Sequence, residues 1–291
     1  MRKIITEELV WQCLPRRSPQ SHKGTYGKVL AVTGSTRYRG AAALATEGLL
    51  RGGAGLVSVA TVEAAAAVIL PRLPEAMILS CRTDAEGGVS AEEAPRLASF
   101  LAGCNTLLMG PGLGWTPDTS ALVQALVPTA KGTVVLDADA LNAVSELDSL
   151  PHPAEGELIL TPHAGEMARL CGCTVAQVET SREETALRYA RENRCVVVLK
   201  GHETLIAAPD GRLWQNTTGN AGLARGGSGD VLAGLITALA AQGLPAPEAA
   251  LCGVWLHGAA ADACAERLGQ YGMLPHDIFA DLGRLFARNG R

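Results

Sequence analysis

The feature that most constrains the fold is a series of short apolar runs, rich in β-branched residues, separated by alanine-rich stretches. Several of these runs are continuously apolar and show no alternation between polar and apolar residues. Such runs are typical of the central strands of a parallel sheet that helices cover on both faces. The predicted strands are 29–33, 56–60, 106–109, 133–136, 158–160, 196–199 and 205–207.

The segments between the runs have the spacing of amphipathic or buried helices. In the segment 229–241, Val231, Leu232, Leu235 and Leu239 fall on one helical stripe. The predicted helices are 41–51, 91–101, 119–126, 183–192, 229–241 and 247–268. Strands and helices that alternate in this way predict one α/β domain with a mostly parallel sheet, whose ligands bind beyond the carboxyl ends of the strands.

Composition excludes several classes of protein. At 47% hydrophobic and 19% charged residues, the chain can bury a large core, which argues against intrinsic disorder. The formal net charge of −4 provides no basic field for a phosphate backbone, so we expect no nucleic-acid partner. No uncharged stretch reads as a membrane span, and the N-terminus lacks the apolar region of a secretory signal. We therefore predict a cytoplasmic protein whose eight cysteines are reduced and form no bridges.

Glycines gather where two predicted strands end. The strand 29–33 runs into the segment 34–41, and the strand 106–109 runs into Gly-Pro-Gly-Leu-Gly at 110–114. Neither segment fits the dinucleotide pattern Gly-x-Gly-x-x-Gly, and the phosphate-loop pattern Gly-x4-Gly-Lys-Ser/Thr is absent. Glycines that supply positive φ angles in tight turns explain either cluster taken alone.

The segment 216–230 carries the strongest chemical signal. Its last residues, Gly-Gly-Ser-Gly-Asp, end at the start of the predicted helix 229–241 and would present unpaired backbone amides at a positive helix terminus. Such a terminus binds anions and phosphates. Asp230 either complements the helix dipole or takes a proton from a hydroxyl that attacks phosphorus. The preceding glycines favour the second role.

Three further segments place polar groups at strand ends. Lys200 and Thr204 flank a glycine turn between two predicted strands, although a lysine there is most often solvated. His163 lies in a turn fixed by proline and glycine, where a histidine serves as a cap or core group about as often as a ligand contact. The segment 136–142 brings two carboxylates and an amide to a strand end, where they would cap a helix or bind substrate.

Together and in this order, these segments resemble the ADP-dependent NAD(P)H-hydrate dehydratase family, whose fold is ribokinase-like. The resemblance runs from about residue 21 to the end of the chain. It rests on Lys-Gly-x-x-Thr at 200–204, Thr-Pro-His-x-Gly-Glu at 161–166 and Asn-x-Thr-Gly-Asn…Gly-Gly-Ser-Gly-Asp at 216–230. Gly-x-Gly-Asp alone would indicate only a ribokinase-like enzyme of phosphoryl transfer.

The resemblance implies a repair reaction, in which the hydrated form of NADH or NADPH is dehydrated while ADP is converted to AMP and phosphate. The hydrate hydroxyl would be phosphorylated, and phosphate would then leave. Asp230 would be the catalytic base. Residues carried over as hydrate contacts are Ala41, Gly112, His163 and Asp230. Residues carried over as nucleotide contacts are Lys200, Gly201, His202, Glu203, Thr204 and Gly229.

The resemblance also implies Mg²⁺, with ligands that the sequence does not identify, and ADP as co-substrate. We expect residues 1–20 to be an N-terminal extension and residues 21–291 to form a single catalytic domain. Bacterial members are often fused to an N-terminal epimerase domain, but only about 20 residues precede the matching segment here. We therefore expect this chain to act on the S-epimer and to depend on a separate epimerase. The family suggests a homo-oligomer, a tetramer.

Two alternatives remain open from the residues alone. A vitamin-precursor kinase of the same superfamily would share the glycine segment before Asp230 but would retain a phosphorylated product. A non-catalytic nucleotide sensor would need the backbone amides but not the Asp230 carboxylate. The segments 161–166 and 200–204 disfavour the kinase, and Asp230 disfavours the sensor.

Overall fold

One ten-stranded sheet organises the computed structural model, which describes residues 2–291. The strands are β1 Lys3–Ile4, β2 Lys28–Val32, β3 Leu56–Val62, β4 Met77–Cys81, β5 Thr106–Met109, β6 Thr133–Leu136, β7 Leu158–Leu160, β8 Val196–Leu199, β9 Leu205–Ala207 and β10 Leu213–Gln215. Their order across the sheet is β1-β10-β9-β8-β7-β6-β5-β2-β3-β4. The run from β8 to β4 is parallel throughout, whereas β9 is antiparallel to both of its neighbours.

The central strands confirm the predicted mostly parallel sheet covered on both faces. Every residue of β5 and β8 is buried. Because successive side chains of a strand point to opposite faces, complete burial requires a cover on each face. All seven predicted strands are present, with ends within two residues of the prediction.

The three strands missed by the sequence prediction lie toward the two edges of the sheet. β4 forms one edge and has a single buried residue, and β1, at the other edge, is exposed at both of its residues. β10, which pairs with β1, is buried but has only three residues. Short or half-exposed strands lack the continuous apolar run on which the prediction rested.

Twelve α-helices surround the sheet in the described part of the chain. They are α1 Glu7–Cys13, α2 Arg39–Arg51, α3 Glu63–Ile69, α4 Ala94–Leu101, α5 Pro117–Leu126, α6 Asp139–Val144, α7 Ala164–Cys171, α8 Val175–Thr180, α9 Arg182–Glu192, α10 Ser228–Ala241, α11 Ala246–Gly272 and α12 Ile278–Arg288. All six predicted helices are present, although 3-10 turn rather than α-helix covers residues 91–93. None of the twelve combines the length and apolarity that a membrane span requires.

Helix α10 is the most deeply packed helix near the site. It lies against α2 and against β2, β5 and β6, and two glycines allow the close approach to α2. A Cβ on Gly234 would lie 2.3 Å from the Ala45 carbonyl oxygen, and one on Gly48 would lie 2.7 Å from the Val231 oxygen. The core therefore fixes the position of α10, including its N-terminus.

Candidate active site

The candidate site lies at the point where the chain reverses its direction across the sheet. β2 and β5 are neighbours, but β2 leads to β3 on one side and β5 leads to β6 on the other. The chain therefore leaves these two strands in opposite directions at the carboxyl edge, and the crevice outside such a switch point is the usual ligand site of such sheets. The Gly34 amide donates to the Pro111 carbonyl at 2.8 Å and joins the two loops.

Two predicted hydrate contacts, Ala41 and Gly112, lie together in this crevice. A Cβ placed on Gly112 would come within 2.8 Å of the Ala41 Cβ and 2.7 Å of the Tyr38 carbonyl oxygen. Gly112 has a φ of 64°, which disfavours other residues there as well. The glycine thus permits a close approach between the β2–α2 and β5–α5 loops.

The end of β6 supplies two carboxylates. Asp137 is 1% exposed and accepts hydrogen bonds from Thr161 Oγ1 at 2.7 Å and from Lys200 Nζ at 2.8 Å. The next residue, Ala138, has φ 49° and ψ −113°, a strained conformation for a residue with a Cβ. Asp139 follows and accepts from the Gly114 amide at 2.8 Å. The strained turn holds both carboxylates at the sheet edge.

Lys200 connects three elements of the site. Besides Asp137, its Nζ lies 3.6 Å from Glu166 Oε2, and its side chain is 18% exposed. A Cβ on Gly229, in the first turn of α10, would lie 3.5 Å from Nζ. Burial opposes the lysine charge, but Asp137 and Glu166 outweigh it and raise the pKa of Lys200. A firmly charged ammonium group therefore lies beside the start of α10.

Asp230 lies in the first turn of α10, after Gly227, which has a φ of 101° and caps the helix. Burial, with added repulsion from Asp137, raises the pKa of Asp230 to about 7, against the attraction of Lys200. A carboxyl group that titrates near neutral pH can both hold and release a proton under ordinary conditions. This property favours the proton-transfer role over the dipole role.

His163 caps helix α7 and also lies in the candidate site. Its Nδ1 accepts from the Gly165 amide at 2.9 Å and from the Glu166 amide at 3.2 Å, so it caps α7. In return, Glu166 accepts from the His163 amide at 2.7 Å. Burial lowers the pKa of His163, against attraction from Glu166. The ring is therefore neutral at pH 7 and remains 55% exposed on the crevice side of this turn.

The remaining predicted nucleotide contacts form the hairpin loop between β8 and β9. Thr204 Oγ1 donates to the Gly201 carbonyl at 3.1 Å, and the Glu203 carboxylate accepts from Gln215 Nε2. His202 is exposed. Within this loop Lys200 reaches the site by its side chain, whereas the Glu203 and Thr204 side chains bond within the sheet edge.

Several residues of the site were missed by sequence reasoning as individual groups. Glu166 and Thr161 were noted only as letters of a motif, yet each is buried and bonded into the cluster. Asp262 of α11 accepts from the Gly219 amide at 2.8 Å and from Asn220 Nδ2 at 2.9 Å, and so holds the segment before α10. The capping-box spacing of residues 163 and 166 could have identified Glu166, but no local pattern marks Asp262.

The cluster has oxygen ligands that suit a hard cation, but they do not form a complete coordination site. Carboxylate oxygens suit Mg²⁺, which usually keeps several waters and binds one or two carboxylates together with substrate phosphates. Among residues 2–291, no three His, Cys, Asp or Glu side chains form a group able to hold a metal ion. The arrangement fits an ion that arrives with a nucleotide.

The buried ion pair predicts a stability effect that is independent of any ligand. Replacing Lys200 with Met leaves the Asp137 charge buried without its partner, which typically costs about 3–5 kcal/mol. We expect the melting temperature of K200M to fall by several degrees. The double variant D137N/K200M removes both charges and should recover most of that loss. Equal melting temperatures for wild type and K200M would contradict the assignment of this pair.

Comparison with known proteins identifies the family. A family model described as NAD(P)H-hydrate dehydratase matches residues 29–284. The chain is 39% identical to the ADP-dependent (S)-NAD(P)H-hydrate dehydratase of Xanthomonas campestris, over 96% of this chain and 93% of that protein. It is 43% identical to the bifunctional NAD(P)H-hydrate repair enzyme of Moorella thermoacetica, but spans only 52% of that protein. The chain thus covers about half the length of its bifunctional relatives.

Solved structures agree with this assignment. The ADP/ATP-dependent NAD(P)H-hydrate dehydratase of Bacillus subtilis, co-crystallized with ATP and Mg²⁺, superposes with a TM-score of 0.86 at 37% identity, covering 99% of both chains. A ribokinase-like superfamily protein of Enterococcus faecalis gives a TM-score of 0.87 at 28% identity, covering 99% of this chain and 96% of that one. The fold is therefore ribokinase-like, and the chain belongs to the NAD(P)H-hydrate dehydratase family.

Proposed function

We propose that this protein dehydrates the S-epimer of hydrated NADH or NADPH, using ADP and producing NAD(P)H, AMP and phosphate. The observation that carries the proposal is the partly buried Asp230, with a pKa of about 7, in the first turn of α10 near Lys200. Near full-length similarity to a protein named for this reaction supports the same substrate class.

The chemistry follows from the groups that meet at this helix terminus. The hydrate hydroxyl attacks the terminal phosphorus of ADP and gives its proton to Asp230, so that AMP leaves and a phosphate ester forms. The backbone amides of Gly226, Gly227 and Gly229 and the Lys200 ammonium stabilise the charge on the transferred group. The ester then loses phosphate and a ring proton, which restores the dihydropyridine. Phosphorylation converts hydroxide, a poor leaving group, into phosphate, a good one.

The predicted contacts are distributed over the two sides of the crevice. We assign Ala41, Gly112 and His163, which lie on the β2, β5 and β7 loops, to the hydrate. Gly229 and the hairpin residues Lys200, Gly201, His202, Glu203 and Thr204 are assigned to ADP. Since Glu203 and Thr204 use their side chains within the fold, their contacts with the nucleotide are assigned to backbone groups.

Mg²⁺ bound to the nucleotide phosphates would neutralise charge that develops during phosphoryl transfer. Asp139 is the carboxylate of this cluster that would hold it, because Asp137 and Glu166 are both paired with Lys200 and Asp230 must accept a proton. This assignment is supported by the ATP and Mg²⁺ of the related Bacillus subtilis crystals.

The wider context is also proposed from the family. The catalytic domain is assigned to residues 21–291, although β1 and α1 from the first 20 residues pair with β10 and pack on α11. An epimerase would supply the S-epimer, since the Xanthomonas campestris relative is named for the S-epimer alone. We also propose that the protein is a tetramer, which light scattering can test. We propose a cytoplasmic location, which cell fractionation can test.

A direct assay tests the function against its rivals. The protein is incubated with enzymatically hydrated NADH and ADP, while the recovery of NADH absorbance and the formation of AMP are followed. We expect both signals to appear together, with ADP at least as effective as ATP. A vitamin-precursor kinase would produce neither signal, and a nucleotide sensor would bind ADP without turnover.

Asp230 should be required for chemistry while contributing little to binding. Asp230→Asn preserves the shape but removes the base, and general-base catalysis typically contributes about 10²- to 10⁴-fold. We expect turnover to fall by that factor, about 3–5 kcal/mol of barrier. The affinity for ADP, measured by calorimetry, should hold or improve slightly because a negative charge is lost. Turnover near that of wild type would refute the catalytic role.

The pH dependence gives an independent check on Asp230. Because the base must be ionised, wild-type kcat/KM should decrease as the pH falls below about 7. The raised pKa also means that ionised Asp230 costs the folded protein stability as the pH rises from about 4 to 7. D230N should therefore raise the melting temperature more at pH 8 than at pH 5. A flat wild-type profile between pH 6 and 8 would contradict the assignment.

His163 should affect the hydrate more than ADP. Replacing it with Ala removes both the ring and the helix cap, so the KM for the hydrate should rise and the stability should fall by about 1 kcal/mol. H163N keeps a capping side chain and should restore the stability but not the KM. His22, whose Nδ1 accepts from the Gly24 amide at 3.1 Å, caps a turn before β2 and provides the control H22A. A loss confined to kcat would place His163 in the chemical step instead.

A further inference from the structure

Two large aromatic side chains are exposed on the loops that form the crevice. Trp115, 47% exposed, follows Gly112 by three residues on the β5–α5 loop. Tyr38, 43% exposed, precedes Ala41 on the β2–α2 loop. Exposed aromatic surface beside a ligand crevice is available for contact with a planar ring.

Trp115 is held close to the catalytic cluster. The preceding residue, Gly114, donates its amide to Asp139 Oδ2 at 2.8 Å, which ties this loop to the end of β6. On its other side, the Arg169 guanidinium lies 5.8 Å from the centre of the indole ring. Arg169 is itself oriented by Asn142, whose Oδ1 accepts from Nε at 2.9 Å. The indole is thus a positioned surface between β6 and α7.

Charges divide the crevice into an acidic floor and a basic rim. The floor contains Asp137, Asp139 and Asp230. The rim contains Arg37, Arg39 and Arg169, which are exposed and make no ion pair with any carboxylate of residues 2–291. The cation of this floor, Lys200, is paired with Asp137 and is assigned to ADP, so the remaining carboxylates repel a second diphosphate group, which the rim attracts.

A hydrated dinucleotide has a ring that must reach the acidic floor and a diphosphate that favours the basic rim. This placement determines whether its hydrated ring or its adenine contacts Trp115. Its hydroxyl-bearing ring must reach Asp230 on the floor, and that ring has lost part of its planar conjugation. The diphosphate favours the rim, and beyond it lies adenine, a planar base with a stacking face. Base–aromatic stacking therefore favours adenine over the hydrated ring at Trp115.

We propose that Trp115 is a specificity residue that stacks on the adenine of the hydrated dinucleotide and so discriminates a dinucleotide from a mononucleotide substrate. This inference rests on the proposed dehydratase activity. It assigns Trp115 to the hydrate and not to the adenine of ADP, since Trp115 shares its loop with Gly112, a predicted hydrate contact, whereas Lys200 lies beside Gly229, a predicted nucleotide contact.

The test compares two substrates that carry the same reacting ring. Hydrated NADH contains the adenosine half, and hydrated reduced nicotinamide mononucleotide lacks it. For W115A we expect the KM for hydrated NADH to rise about 5- to 100-fold, the range of base stacking, with kcat little changed. The KM values for the mononucleotide hydrate and for ADP should stay within about twofold of wild type, while W115F should retain most of the dinucleotide preference.

Phe100 of α4 provides the matched control. Phe100 is 37% exposed and lies just before β5, near the amino ends of the strands, whereas the site lies at their carboxyl ends. F100A should therefore change none of these constants. An equal rise in KM for both hydrates would overturn the proposal by placing Trp115 at the reacting ring. A rise for ADP alone, or no change, would overturn it too. Failure of wild type on both hydrates would instead refute the dehydratase activity itself.

Discussion

The ion pair between Lys200 and Asp137 is the interaction on which the rest of the site depends. It joins the end of β8 to the end of β6, across the intervening β7, and places an ammonium group beside the first turn of α10. Asp137 is nearly inaccessible to water, so its charge requires this partner and the Thr161 hydroxyl. The strain at Ala138 is tolerated because these contacts fix Asp137 on one side of it and the Gly114 amide fixes Asp139 on the other.

The sequence was sufficient for the centre of the fold and insufficient for its edges. Largely apolar runs identify β5 and β8 because burial on both faces disfavours polar residues. β1 is stabilised by pairing with β10, far away in the sequence, and β4 by pairing with β3 at the edge of the sheet, so their own residues need not be apolar. The short helices α6 and α7 were missed because they carry few periodic residues; packing on neighbouring helices stabilises α6, and the His163 cap stabilises α7.

For the site as well, the sequence was sufficient for some features and insufficient for others. Segments rich in glycine and polar residues indicated where ligands bind, because such segments follow buried strands and end at a helix start. The pairing of Lys200 with Asp137 joins residues 63 positions apart, and Asp262 acts on a segment about 40 positions away. Local patterns carry no information on such pairs. The sequence left the role of His163 open between a cap and a ligand contact, and only its hydrogen bonds show that it caps α7.

The charge balance of the cluster connects the raised pKa of Asp230 to the reaction. With every carboxylate ionised, Asp137, Asp139, Glu166 and Asp230 carry four negative charges, and Lys200 offsets one of them. An attacking hydroxyl brings no charge, but its proton must go to the group whose protonation relieves the most repulsion. Burial and the neighbouring carboxylates make Asp230 that group. In the proposed reaction, the proton that Asp230 accepts would lower the negative charge of the floor as the substrate acquires a phosphate, so the repulsion that raises the pKa of Asp230 would also favour the transfer.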